Sequence, residues 1–184
     1  NHFWLEYVPV CFADKHDMTH EEANDVMMSH YQDARGKLEW YCVDFWTHKL
    51  GLDIEQMKNE VSHKIAVRPE VREFLQALKD AGKRIVLETN AHQASLSLKM
   101  KHTPIGDHLD AVISTHELGL PKEQTAFWTR LQGIEAFNAS QTLLIDDNFT
   151  VLHSAKQYGI KYLLAIHQPD TQKDPKKSDE FTLL

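Results

Sequence analysis

The sequence predicts an α/β protein: a doubly wound parallel sheet preceded by a helical bundle. From Val67 onward, short apolar runs alternate with helical patterns, as in a sheet built from βα units. The runs at 84–87 (RIVL), 111–114 (AVIS), 142–145 (TLLI) and 162–166 (YLLAI) are continuous and rich in Val, Ile and Leu, as strands buried on both faces are. Residues 1–66 differ, containing no convincing strand but several helix signatures. The expected division is therefore a helical part at 1–66 and an α/β part at 67–184.

Each element has its own signal. Residues 21–35 place Ala23, Val26, Met27, His30 and Tyr31 at helical spacing, with Thr19 as N-cap and Glu22 three residues on. A second helix is expected over 38–50, stopped by Gly51. Asp53 caps a third, with Gln56 at the capping-box position. Pro69 suits the first turn of a helix whose Val71, Phe74, Leu75 and Leu78 form one apolar face before Gly82. Between the apolar runs, 92–102, 122–134 and 148–158 (closed by Gly159) read as helices. The tail at 168–179 reads as loop, and residues 181–184 are left undecided.

Composition narrows the function. The chain has 184 residues with 20 basic and 27 acidic side chains, and the resulting charge of −7 argues against coating nucleic acid or an anionic membrane. With 42% hydrophobic residues the chain can fill a core. The two cysteines, Cys11 and Cys42, form no CxxC, so neither a disulfide scaffold nor a zinc ribbon is expected. No run of 18 apolar residues occurs, and the first residues lack a signal-peptide layout. A soluble, cytoplasmic protein is expected. Its 12 histidines include no HExxH, and most read as scattered surface residues; His116, after a strand end, and His92 are the ones near the expected site.

In open α/β sheets, ligands bind beyond the carboxyl ends of the strands. There lie Glu88-Thr89-Asn90, then Thr115-His116, then Asp146-Asp147, with Gly119-Leu120-Pro121-Lys122 opening a helix before the last pair. Adjacent carboxylates at a buried strand end repel, and a hard cation such as Mg²⁺ relieves that repulsion. Alone, the pair also reads as a solvated Asp146 and an Asp147 helix cap. Thr89 and Asn90 offer a hydroxyl, an amide and backbone N–H groups suited to a phosphoryl group, though an ordinary turn offers the same. A lysine at a helix start is disfavoured by the helix dipole, so Lys122 makes sense facing an anion; alone it also reads as a surface lysine.

Taken together, strand–TN, GxPK and strand–DD in this order resemble the haloacid dehalogenase (HAD) superfamily of phosphohydrolases. The resemblance implies roles for Thr89 (second motif), Lys122 (third) and the acidic pair Asp146/Asp147 (fourth). It places residues 1–66 where the family inserts a cap, and makes residues 67–184 the HAD core. The strings LEWYCVDFW, TNAH, STHELGLPKE and LLIDDN are similar to those of bacterial purine 5′-nucleotidases acting on GMP and IMP. The implied reaction is Mg²⁺-dependent hydrolysis of a phosphomonoester through an aspartyl phosphate. Its metal residues are Asp146 and Asp147, and its catalytic residues are Lys122, Thr89 and Asp147.

One family motif is missing. DxDGT, which supplies the nucleophilic aspartate, does not occur; Asp14 and Asp17 lack the preceding apolar run. The strand bearing it belongs at the sheet centre, so residues preceding Asn1 are expected to carry it, and a chain lacking it is expected to be inactive.

Specificity is expected from the cap, because the phosphate machinery is generic. Trp40, Tyr41, Phe45 and Trp46 fall on the helix expected over 38–50. There Leu38, Tyr41, Cys42 and Phe45 share a core face, leaving Trp40, Asp44 and Arg35 as substrate-binding candidates. Thr89, Asn90, His92 and Lys122 complete the substrate-binding set, with His92 reaching ribose or phosphate. The alternatives are a HAD phosphatase for another small phosphate ester, and a HAD-like protein that binds nucleotide or phosphate without turnover.

Overall fold

The computed structural model describes residues 2–171 and 173–184 and shows an α/β chain that divides into two compact units, 1–117 and 118–184. The first unit opens with a π-helical turn at Phe3–Tyr7 that runs into α1 (Val8–His16). The sequence offered no clear sign of either. α2 (His20–Ala34) starts with a complete capping box: Thr19 accepts from the Glu22 N–H while the Glu22 carboxylate accepts from the Thr19 N–H at 2.8 Å.

The expected helix over 38–50 is in fact two pieces. A 3₁₀ turn, Leu38–Tyr41, ends at Cys42, whose extended backbone breaks the helix before α3 (Val43–Leu50). Cys42 then caps α3, its Sγ accepting from the Phe45 N–H at 3.4 Å. The break rotates the core face: Val43, Trp46 and Leu50 are buried, whereas Leu38, Tyr41, Cys42 and Phe45 are half-buried. Gly51 closes α3 in the left-handed conformation that lacks a Cβ penalty, and Asp53 caps α4 (Ile54–Glu60) by accepting from the Gln56 N–H.

Trp46 centres this helical core. Only 1% exposed, it packs edge-on against Tyr31, Trp40 and Phe45 and tilted against Trp4, and its Nε1–H donates to the Trp40 carbonyl at 2.9 Å. After α5 (Val71–Asp80), whose Phe74 remains 39% exposed, the first strand follows. β1 is Val86–Thr89, so its pairing reaches two residues beyond the expected run. After α6 (Gln93–His102), β2 (Ala111–Ser114) pairs parallel to β1, with Thr89 opposite Ser114. The short α7 (Thr115–Leu118) follows directly.

In the second unit α8 spans Thr125–Ile134, three residues later than expected, so Lys122 lies in the turn before the helix. β3 (Leu143–Asp146) pairs parallel to β4 (Tyr162–Ala165) across α9 (Phe149–Tyr158), which Asn148 caps and Gly159 ends. The undecided C-terminus adds β5 (Thr182–Leu183) parallel to β4 and buries Phe181. Among the described residues the strands form two sheets, β1–β2 and β3–β4–β5. No described helix is long and apolar enough to cross a membrane.

Trp46→Ala removes the ring that fills the helical core and should cost about 3–5 kcal/mol in denaturant unfolding. Arg35→Ala, at an exposed helix end, should cost less than about 0.5 kcal/mol. Equal, small losses would show that Trp46 is not packed as described.

Candidate active site

The second unit holds three of the expected residues. Asp146 is the last residue of β3 and is 8% exposed; Lys122, in the turn before α8, is also 8% exposed. The Lys122 ammonium donates to Asp146 Oδ2 at 2.6 Å, and the Asn148 N–H donates to Oδ1 at 2.8 Å. Both carboxylate oxygens thus have a fixed orientation.

The turn carrying Lys122 is held just as closely. Its carbonyl accepts from the Ser154 hydroxyl of α9, which in turn accepts from the Trp128 Nε1–H of α8 at 2.9 Å. Asn148 also donates from its side chain to Glu123 at 3.1 Å. Lys122, Asp146, Asn148 and Ser154 are therefore one connected polar cluster. The sequence singled out the first two as site residues; Asn148 appeared only as the end of the LLIDDN string, and Ser154 carried no motif.

Asp147 is exposed, and its carbonyl accepts from Lys176. It does not cap α9: Asn148 does, accepting from the Thr150 N–H at 3.0 Å. The capping role that would have explained Asp147 thus belongs to its neighbour. Lys122 is not at a helix start either, so the helix dipole does not act on it; the anion it faces is Asp146.

The first unit holds the others. Thr89 ends β1, and its hydroxyl accepts from the Ala91 N–H at 3.1 Å, folding the chain into a tight turn with Asn90 buried. Ser114, opposite Thr89 on β2, donates to the Ala91 carbonyl at 2.8 Å and so ties the two strand ends together. His92 caps α6, its Nδ1 accepting from the Ala94 N–H at 3.4 Å. Its Nε2 lies 3.7 Å from a carboxylate oxygen of Asp44, which is itself largely exposed.

The His92 and His116 rings meet edge to face, 5.0 Å apart between centroids. Burial, and then the neighbouring His92, push the His116 imidazole below its usual pKa, against the pull of the Asn90 carbonyl and Asp44. Cys42 joins these two rings, with donor atoms of all three residues within 4.8 Å of one another. The strand-end rule was enough to find His92 and His116, whereas Cys42 was expected only as a core-face residue of the helix over 38–50.

Trp40 is half-buried against Tyr31 and Trp46 and belongs partly to the helical core. Arg35 is exposed at the end of α2.

Hard oxygen donors at the end of β3 suit a cation such as Mg²⁺, which takes one or two protein carboxylates and keeps much of its own hydration. Asp146 and Asp147 fit that requirement in residue type and position.

The haloacid dehalogenase-like hydrolase family model matches residues 6–165. The chain is 40% identical over 171 residues to the GMP/IMP nucleotidase YrfG of Escherichia coli K12, covering 93% of this chain and 77% of that one. The Shigella flexneri protein of the same name matches equally. Among solved structures, a HAD phosphatase from Thermococcus onnurineus is similar with a TM-score of 0.79 at 20% identity, over 97% of this chain and 81% of that one. An L-2-haloacid dehalogenase from Xanthobacter autotrophicus shares the fold with a TM-score of 0.59 at 15% identity, over 90% of this chain and 74% of that one. With strands, motif residues and family match in agreement, the chain belongs to the haloacid dehalogenase-like hydrolases.

Proposed function

We propose that the protein is a Mg²⁺-dependent phosphomonoester hydrolase acting on purine nucleoside monophosphates, GMP and IMP first among them. The observation that carries the reaction class is the buried Lys122–Asp146 pair at the carboxyl end of β3. The substrate class rests on the 40% identity to the E. coli GMP/IMP nucleotidase.

The roles follow from charge and position. Asp146 holds the cation, and Asp147, exposed beside it, orients water or Lys122 from outside. When bound, Mg²⁺ supplies positive charge against the negative charge of the phosphoryl oxygens. Lys122 donates to those oxygens from an ammonium whose place is already fixed by Asp146, so little reorganisation is needed at reaction. Thr89 and the Asn90 turn donate a hydroxyl and amide N–H groups to the phosphoryl group. His92 contacts ribose or phosphate.

In this reaction the phosphoryl group passes to a carboxylate as an aspartyl phosphate, which water then hydrolyses. That carboxylate belongs to the DxDGT motif, which these 184 residues do not contain, and no residue of this chain is assigned the role. Residues 1–66 serve as the cap and 67–184 as the catalytic core, with Trp40, Asp44 and Arg35 the cap's candidates for reading the nucleoside.

The test is phosphate release from GMP, IMP and a panel of sugar phosphates by the purified protein. GMP and IMP should lead in kcat/KM; a sugar phosphate leading instead would move the enzyme to another substrate class. EDTA should abolish release and Mg²⁺ restore it, whereas unaffected turnover in EDTA would remove the metal from the reaction. Lys122→Ala should lower kcat about 10²–10³-fold, the usual loss for one preorganised donor, and near-native turnover would contradict its role. Asp44→Ala is free of core packing and should change the ratio of GMP and IMP to sugar phosphates. An unchanged ratio would take Asp44 out of substrate choice.

A further inference from the structure

We propose that Cys42, His92 and His116 form a binding site for one borderline divalent metal ion of the zinc type, separate from the acidic pair. The three residues come from distant parts of the chain: the break before α3, the N-cap of α6 and the short α7 after β2. Their donor atoms nevertheless lie within 4.8 Å of one another, and all three side chains are half-buried.

The ring of His116 supplies a second, independent observation. Its Nε2 is fully enclosed by protein and has no hydrogen-bond partner, while the ring's other nitrogen is bonded to the Asn90 backbone. A backbone carbonyl holding Nδ1–H leaves the Nε2 lone pair exposed to a metal, the arrangement that usually orients a ligating histidine. Without a partner, such a buried acceptor costs about 1–3 kcal/mol. The metal gives that lone pair its partner.

The donor set selects the ion. Thiolate and imidazole suit zinc and its neighbours, and Mg²⁺, which prefers carboxylate, carbonyl and water, is excluded. Zinc bonds of about 2.3 Å to sulfur and 2.0–2.1 Å to nitrogen put tetrahedral ligands roughly 3.3–3.8 Å apart, so the donors need to close by about 1 Å. The fourth position falls to water or to Asp44, whose carboxylate lies 3.7 Å from His92 Nε2. Binding converts the Cys42 thiol to thiolate and releases its proton to solvent. Both imidazoles bind in their neutral form, His92 ligating through one ring nitrogen with its proton on the other and so giving up the bond that Nδ1 accepts from the Ala94 N–H. A metal here ties the start of α3 to the ends of β1 and β2 and engages the His92 ring.

The experiment is titration of the chelator-stripped protein with Co²⁺ alone, followed by absorbance. A thiolate-to-cobalt charge-transfer band should grow and saturate at one equivalent. Excess Zn²⁺ should abolish it, and millimolar Mg²⁺ should leave it unchanged. Cys42→Ser keeps a side-chain acceptor for the Phe45 N–H and so preserves the cap of α3, yet should lose the band. His116→Ala should weaken Co²⁺ binding at least about tenfold. Absence of the band in the native protein would overturn the proposal. So would its persistence in Cys42→Ser, which would assign it to Cys11, or its survival at full affinity in His116→Ala.

Discussion

A lysine and an aspartate, both about nine-tenths buried and 2.6 Å apart, set the organisation of the C-terminal unit. Removing two charges from water costs several kcal/mol each, and their attraction roughly repays it only when the remaining hydrogen bonds are made. Here they are made: Asn148 binds the other oxygen of Asp146, and Ser154 and Trp128 fix the turn that carries Lys122. A hydrophobic pair of similar volume would stabilise the unit at least as well. An ion pair retained at a strand's carboxyl end is better explained by the proposed chemistry, for which it keeps a cation and an anion oriented.

The N-terminal unit solves a different problem, that of positioning neutral donors. Parallel pairing of β1 with β2 brings Thr89 and Ser114 level, and the Ser114 hydroxyl clamps the turn after β1. The same pairing brings the residues following each strand, His92 and His116, to one sheet end. The break at Cys42 then presents a thiol to both rings. Had the helix run unbroken from Leu38, Cys42 would have been one more residue on its core face.

How much of this was legible depends on the range of the interaction. Local signals did well: the capping box at Thr19, the left-handed Gly51 and Gly159, and the four apolar runs all mark elements that form. The strand-end rule picked out Thr89, Asn90 and Asp146, and each does end or follow a strand whose apolar run is unmistakable. What failed was non-local. The helix over 38–50 satisfied its periodicity on paper, but the aromatic packing around Trp46 favours a break at Cys42 and a rotated face. Asp147 and Asn148 are both good caps by composition, and only the turn geometry, with Asp146 accepting from the Asn148 N–H, decides between them. Ser154 carried no motif and Cys42 no site signal of its own, because the partners that matter are 26 residues and more away in sequence.

The central claim is that the end of β3 is a hard-metal site built on Asp146. Paramagnetic Mn²⁺, which shares the oxygen preference of Mg²⁺, can be titrated into ¹⁵N-labelled protein and the backbone amide resonances followed. Broadening that centres on the amides of Asp146, Asp147 and Asn148 and is reversed by excess Mg²⁺ is the expected result. Amides there that stay sharp while others broaden would contradict it.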